Sequence, residues 1–307
     1  MLDRRTFLAC SSVGLSWSLA SGATAAERAI IDTHQHLWIR KKVRLPWIAK
    51  GSKLDRDFTP DDYAQAIQGT GITQAVYLEV DVLPEDHNTE ADWIADLCAS
   101  GKTATCAAVI GGRPESEGFG KYLARFQDHK HIRGLRRVLH GETKPGHCLS
   151  KPFQRGIQLL GEKGLHFELC MRHAELPDAT KLAQACPDTR FVLNHCGNPD
   201  LKQHEQWRRD LETLAKCKNV IACKISGIVA SADPAQWSAD DLAPVVNHTL
   251  DTFGPDRVMF GSDWPVCLRT ATLKQWLAAL DAIVQERKAE DKAKLFRKNA
   301  QRVYRLA

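Results

Sequence analysis

Ala29-Ile30-Ile31-Asp32-Thr33-His34-Gln35-His36 is an apolar, β-branched run that ends in a cluster of polar residues. An open, doubly wound α/β sheet ordinarily carries a glycine-rich, phosphate-cradling turn directly after its first strand. Here two histidines occupy that place, and the chain contains neither G-x-G-x-x-G nor a phosphate loop. Further runs of the same kind follow at Ala75–Val80, Thr105–Ile110, Ile132–Leu139, Leu165–Cys170, Arg190–Asn194, Val220–Ile225 and Arg257–Phe260, which makes eight. Helical spacing of apolar residues separates most of them, at 88–100, 119–129, 152–163, 179–186, 203–217 and 241–253. Glycine and proline punctuate the ends, as at Gly71, Gly101, Gly164, Pro187 and Gly254-Pro255. Strands that alternate with helices imply a parallel sheet. Eight of them in one domain imply closure into a (β/α)8 TIM barrel over residues 26–307. The tail, Leu273 to Leu306, reads as helix packed outside that barrel.

The chain has 307 residues, 43% hydrophobic and 26% charged, which excludes a disordered or fibrous protein and suits a single barrel. Its net charge of +5 is spread among alternating acids and bases, with no basic stripe of the kind that binds nucleic acid. A small-molecule substrate is the expected partner. Oligomeric state leaves no mark in the sequence. Residues 1–25 read as an export signal: Asp3-Arg4-Arg5-Thr6-Phe7-Leu8, a short small-residue stretch, then Ala23-Thr24-Ala25. The paired arginines resemble the twin-arginine type, which implies a periplasmic destination. No later apolar run reaches the roughly 20 residues needed to span a bilayer. Ten cysteines include Cys10 within that leader and no C-x-x-C pair, and most lie in apolar patterns. Buried free thiols are therefore expected, and an oxidising compartment leaves room for a bridge.

In such a barrel the catalytic face lies at the carboxyl ends of the strands, so the polar residues that end each run are the candidates. The first run ends in His34-Gln35-His36, the sixth in His195, the seventh in Lys224 and the eighth leads to Asp263. Glu79 and Arg136 belong to the second and fourth. His-x-His on a strand puts two imidazoles on one face, since strand side chains alternate. Both can then reach one divalent cation through neutral ring nitrogens. Asp263 stands in Gly261-Ser262-Asp263-Trp264-Pro265. It is either a turn cap or an ionised carboxylate that takes a proton from water or binds a metal. His195 is a site residue or a satisfied core histidine. Lys224, among apolar neighbours, either faces the site or forms a buried pair with a carboxylate. Arg136 suits a charge-assisted bond to a substrate carbonyl or carboxylate, with Arg133 and Arg137 as competitors. Glu79 is a strand-end site residue or an outward ion-pair partner.

Several blocks resemble the amidohydrolase superfamily: Ile31–Trp38, Gly134-Leu135-Arg136, Val192–Pro199, Cys223–Gly227 and Phe253–Cys267. They are most similar to its branch of metal-dependent TIM-barrel hydrolases, which contains sugar lactonases of the fuconolactonase and rhamnonolactonase types and the pyrone-dicarboxylate lactonase. The resemblance implies a lactonase. Asp263 would be the general base that activates water, and His34, His36, His195 and Arg136 would polarise the lactone carbonyl or bind substrate. Lys224 matches a family lysine, and Glu79 joins the substrate-binding candidates. A metal would sit on His34, His36 and Asp263. Many members supply a further histidine after strand five, and Glu168-Leu169-Cys170-Met171 has none there. The pyrone-type enzymes share that lack and need no metal, so one divalent ion, such as zinc, and metal-free chemistry both stay open. The same polarising groups serve metal-dependent amide or ester hydrolysis and decarboxylation, which is the alternative reading. Specificity is expected in loops 37–58, 140–151 and 228–240, where Trp38, Trp47 and Trp237 are positioned to line a sugar pocket or cover the barrel mouth.

Overall fold

In the computed structural model, which describes residues 29–126 and 128–307, each apolar run becomes a parallel strand. These are β1 (Ile30–Gln35), β2 (Ile72–Leu78), β3 (Thr105–Gly111), β4 (Ile132–Leu139), β5 (His166–Met171), β6 (Phe191–Leu193), β7 (Val220–Ile225) and β8 (Val258–Phe260). They pair in chain order in one eight-stranded sheet that curls into a nearly closed barrel. The surrounding helices are α1 (Pro60–Ala66), α2 (His87–Ser100), α3 (Phe119–Ala124), α4 (Lys151–Glu162), α5 (Leu176–Ala185), α6 (Glu205–Ala215), α7 (Ala239–Phe253) and α8 (Leu273–Ile283). The expected leader over residues 1–25 lies outside the described residues.

Helix faces follow the sequence periodicity. In α4 the buried residues Phe153, Gly156, Ile157 and Leu160 recur at helical spacing. A capping box between Ser238 and Asp241 starts α7. Each large side chain buried between sheet and helices, such as Phe153 or Leu211, contributes about 2 kcal/mol. A second, smaller cluster fills the barrel itself, from Ile31, Val76, Leu78, Val109, Val192 and Met259. No helix among the described residues is long and apolar enough to cross a membrane. All nine cysteines from Cys98 onward are free thiols, seven of them buried.

The seam between β1 and β8 is closed largely by side chains. The Asp32 carboxylate accepts from Ser262 N at 2.8 Å, Ser262 Oγ at 2.5 Å and Tyr63 OH at 2.7 Å. Thr33 Oγ1 donates to the Phe260 carbonyl at 2.6 Å. Only at the carboxyl end do backbones meet, where Asp263 N donates to His34 O and His36 N to Trp264 O, at 2.8 and 2.7 Å. A Cβ on Gly261 would come within 2.6 Å of His34 Cβ, so glycine is required where the strands approach.

The tail departs from the expected continuous helix. After α8 it breaks into α9 (Ala289–Ala293), a π-helical turn at Lys294–Lys298, and α10 (Asn299–Tyr304). The last of these does not lie outside the barrel. Ala300, Val303 and Tyr304 join the interior cluster, and Tyr304 OH donates to Glu168 Oε1 at 2.7 Å. The break in the tail lets α10 bring these side chains against the barrel interior.

Candidate active site

The polar ends of β1, β4, β6 and β8 converge on one cavity of about 700 Å³, whose wall includes His36, Asp81, Arg113, Arg136, His195 and Asp263. Strict alternation would place Ile31 and the two histidines on opposite faces of β1. A register irregularity between Asp32 and Gln35 corrects this. Ile31 keeps its place in the barrel interior, Asp32 turns to the seam, and both histidines face inward. This re-aiming is what β-bulges do near active sites.

Asp263 Oδ1 lies 3.3 Å from His36 Nε2, 3.7 Å from His34 Nε2 and 4.0 Å from His195 Nε2. Each imidazole is oriented from behind. His36 Nδ1 faces the Leu78 carbonyl at 2.9 Å, which requires hydrogen on Nδ1 and turns Nε2 toward Asp263. His195 Nδ1 meets Ser226 Oγ at 2.9 Å. Gly227 makes room for that ring, since a Cβ there would come within 2.3 Å of His195 Nδ1. His34 Nε2 accepts from Arg136 Nη1 at 3.1 Å, while its Nδ1 is buried without a partner. Asp263 (φ 56°) and His195 (φ 53°) both adopt left-handed backbone. That costs about 1–3 kcal/mol each and is typically found where geometry serves function.

Electrostatics keep the carboxylate ionised and two of the rings neutral. Burial raises the Asp263 pKa, but His195, the His36 contact and Arg136 more than offset it, leaving it below the ordinary value. Burial pushes His195 down to about 4, against the pull of Asp263. Burial, His195 and Lys224 hold His34 well below its ordinary value.

Arg136 is buried and heavily tied. Its Nε donates to Glu79 Oε1 and its Nη2 to the Glu79 carbonyl, both at 2.6 Å, and Nη1 also reaches Asn194 Oδ1 at 3.3 Å. Glu79 therefore points inward as the arginine's partner. Lys224 is absent from the cavity wall. It lies deeper, with Nζ 2.6 Å from Glu168 Oε2, an ion pair by distance though poorly aligned as a hydrogen bond. Of the three loop tryptophans, Trp47 lines the cavity, whereas Trp38 is buried beneath it and Trp237 is elsewhere.

His34, His36 and Asp263 each offer a ligand atom, all within 4.8 Å of one another. Two imidazoles beside a carboxylate form a donor set suited to a divalent cation. The His36 pair fits best, because the Nδ1 contact to the Leu78 carbonyl turns Nε2 toward Asp263 Oδ1, 3.3 Å away, and places both donor atoms within reach of one cation. His34 fits on different terms, since ligation would replace the bond from Arg136.

Several site residues escape sequence reading. Asn194 bridges Arg136 to Glu168, donating to Glu168 Oε2 at 2.6 Å. Glu90, on the buried face of α2, accepts from Tyr77 OH and Val80 N at 2.9 and 2.8 Å. Burial and Glu79 raise its pKa to about 8. A carboxylate in the apolar stripe with Ala91 and Ile94 was its signal. Ser226 and Asp81, each just past an apolar run, gave the same kind of hint.

Known proteins share this architecture. An L-fucono-1,5-lactonase of Burkholderia multivorans is 30% identical over 294 residues, covering 90% of this chain and 96% of that one. The structure of an amidohydrolase from Burkholderia multivorans with bound zinc superposes with a TM-score of 0.81 at 27% identity, covering 91% of this chain and all of that one. A candidate 2-pyrone-4,6-dicarboxylic acid hydrolase from Pseudomonas putida shares the fold, with a TM-score of 0.73 at 20% identity over 91% and 98% of the two chains. The profile described as amidohydrolase matches residues 31–306, and the chain belongs to the amidohydrolase family.

Proposed function

We propose that this protein hydrolyses a lactone, of a sugar or of a carboxylic acid, with Asp263 as general base. The observation that carries this reading is the ionised, buried Asp263 carboxylate with three imidazole nitrogens within 4.0 Å. The resemblance to lactonases along nearly the whole chain supports it.

A water beside Asp263 gives up a proton to the carboxylate as its oxygen bonds to the lactone carbonyl carbon. With Ser226 donating to Nδ1, His195 presents Nε2–H to the cavity, where it stabilises charge on the carbonyl oxygen. Collapse breaks the ring C–O bond. The proton held by Asp263 passes to the departing alkoxide, and one water has been added to give a hydroxy acid. Arg136 holds His34 and keeps positive charge behind the reacting carbonyl. A divalent ion held by His36 and Asp263, with His34 or His195, would supply Lewis-acid polarisation of the same carbonyl. That donor set also favours a second reading, metal-dependent amide or ester hydrolysis.

Asp263→Asn keeps the shape and removes the base. Turnover across a panel of aldonolactones and muconolactone-type compounds is expected to fall about 1,000-fold; equal turnover by the two proteins would end the assignment. Turnover of amide and open-chain ester substrates beside the lactone panel separates the two readings, and a stoichiometric ion after purification without chelator would add weight to the second. We further propose export to the periplasm through residues 1–25, supported by the Arg4-Arg5 leader. Mass measurement of the protein from the periplasm should show cleavage near Ala25.

A further inference from the structure

One part of the cavity wall is not used by the chemistry above. Just beyond β2, Asp81 adopts left-handed backbone, φ 48°, and its N–H donates to Glu79 Oε2 at 2.6 Å. This puts two carboxylates at neighbouring positions, and burial together with Glu79 raises the Asp81 pKa. The Asp81 side chain lines the cavity and receives no hydrogen bond from the described residues. Its ion-pair partner is Arg113 Nη2 at 3.8 Å, beyond hydrogen-bond reach. Arg113 lines the same cavity, with its side chain 19% exposed and no hydrogen bond of its own among the described residues. Half-buried charges left short of contact are unfavourable unless a polar group completes them.

A hydroxyl set to the cavity side of the pair, within hydrogen-bond reach of both, completes both. It donates to the carboxylate and accepts from the guanidinium. Trp47 adds the third element. It is the one large hydrophobic side chain exposed among the described residues, and its indole Nε1 is pinned to the Val80 carbonyl at 2.7 Å, one residue from Asp81. Trp38 packs edge-on against it at 5.8 Å. The ring is thus a fixed apolar face for the C–H side of a sugar ring.

We propose that Asp81 and Arg113, beside the Trp47 ring, form a hydroxyl-recognition subsite that selects an uncharged, polyhydroxylated lactone. The proposal rests on the lactonase reading and narrows it, because at this wall Asp81 already counters the Arg113 charge, so the pair suits a neutral hydroxyl better than a second carboxylate. The 3.8 Å spacing of the pair suits one hydroxyl that bridges both groups from the cavity side.

The test compares aldono-1,5-lactones with unsubstituted δ-valerolactone, using wild type, Asp81→Asn and Arg113→Gln. Asparagine tolerates left-handed backbone, and melting temperatures confirm that each variant folds. Both variants are expected to raise KM for the aldonolactones about tenfold, the loss of one charge-assisted hydrogen bond. Turnover of the aldonolactones at saturation, and kcat/KM for δ-valerolactone, should change less than about twofold by the same reasoning. Equal losses on both substrate classes, no change on either, or wild-type preference for a lactone dicarboxylate would overturn the subsite while leaving the lactonase reading intact. A wild type that opens no lactone would overturn both.

Discussion

Two buried ion pairs, Arg136–Glu79 and Lys224–Glu168, stand on the inner surface of the same barrel and share Asn194 as a link. Both cations lie within barrel strands, β4 and β7, and both are almost completely shielded from solvent. Their surroundings differ. Arg136 reaches the cavity and donates to His34. Lys224 is closed off by Glu168, which also takes Tyr304 OH, and lies 5.5 Å from the Tyr304 ring. Access to the cavity, and not residue type, distinguishes the two cations, and under the proposed function the first would act on the chemistry while the second holds the scaffold.

The largest effects should come from breaking each pair. Arg136→Met leaves Glu79 uncompensated and frees His34, so turnover by folded protein should fall at least about 100-fold. Lys224→Met should cost about 3–5 kcal/mol of stability in denaturant unfolding, because Glu168 is left buried and unpaired. Its turnover per folded molecule should fall less than about tenfold, and Lys224→Met/Glu168→Gln should recover most of the stability. If Lys224→Met removes turnover as completely as Arg136→Met, the contrast fails.

A second, smaller separation is by pH. For Glu168, burial raises the pKa but Lys224 and His166 outweigh it, leaving it below the ordinary value. A folded-state pKa below the unfolded one means the stabilisation is complete above the unfolded value, about 4.3, and drains as pH falls below it. Melting temperature should therefore drop below about pH 4.5, and the double variant should lose less on the same descent. Beside the Arg136 pair, His195 at about 4 and the depressed Asp263 leave these two proposed catalytic groups in one protonation state through neutrality. The acid limb of kcat/KM should lie below about pH 5; a limb at about 6.5, the ordinary histidine value, would contradict neutral His195. The smallest expected change is in Tyr304→Phe, which removes one hydrogen bond to a charged group. It should cost about 1.5–3 kcal/mol of stability with KM unchanged.

The barrel was legible because each strand carries its own apolar run, and so was the clustering of His34, His36, His195 and Asp263 at strand ends. Helix α1 was not, since Tyr63 is its one buried residue and it offers no apolar stripe. Pairing was hidden too. Glu79 and Arg136 are 57 residues apart, and no local pattern says which carboxylate an inward cation meets. The β1 irregularity lies beyond a period-two reading, which would have put Ile31 and the histidines on opposite faces. The tail break reflects a need to seal the barrel, a demand visible only once the barrel exists.

Asp32 waits for a partner 230 residues later in the chain. During synthesis, therefore, His34 and His36 emerge early with nothing to face, and Asp263 arrives only after all eight strands have been made. A nascent or truncated chain lacking β8 carries an unpaired strand edge at β1, the kind of surface that draws aggregation and chaperones. Completing the active site and finishing the barrel are one event, so a chain that turns over substrate has already passed its own check for integrity.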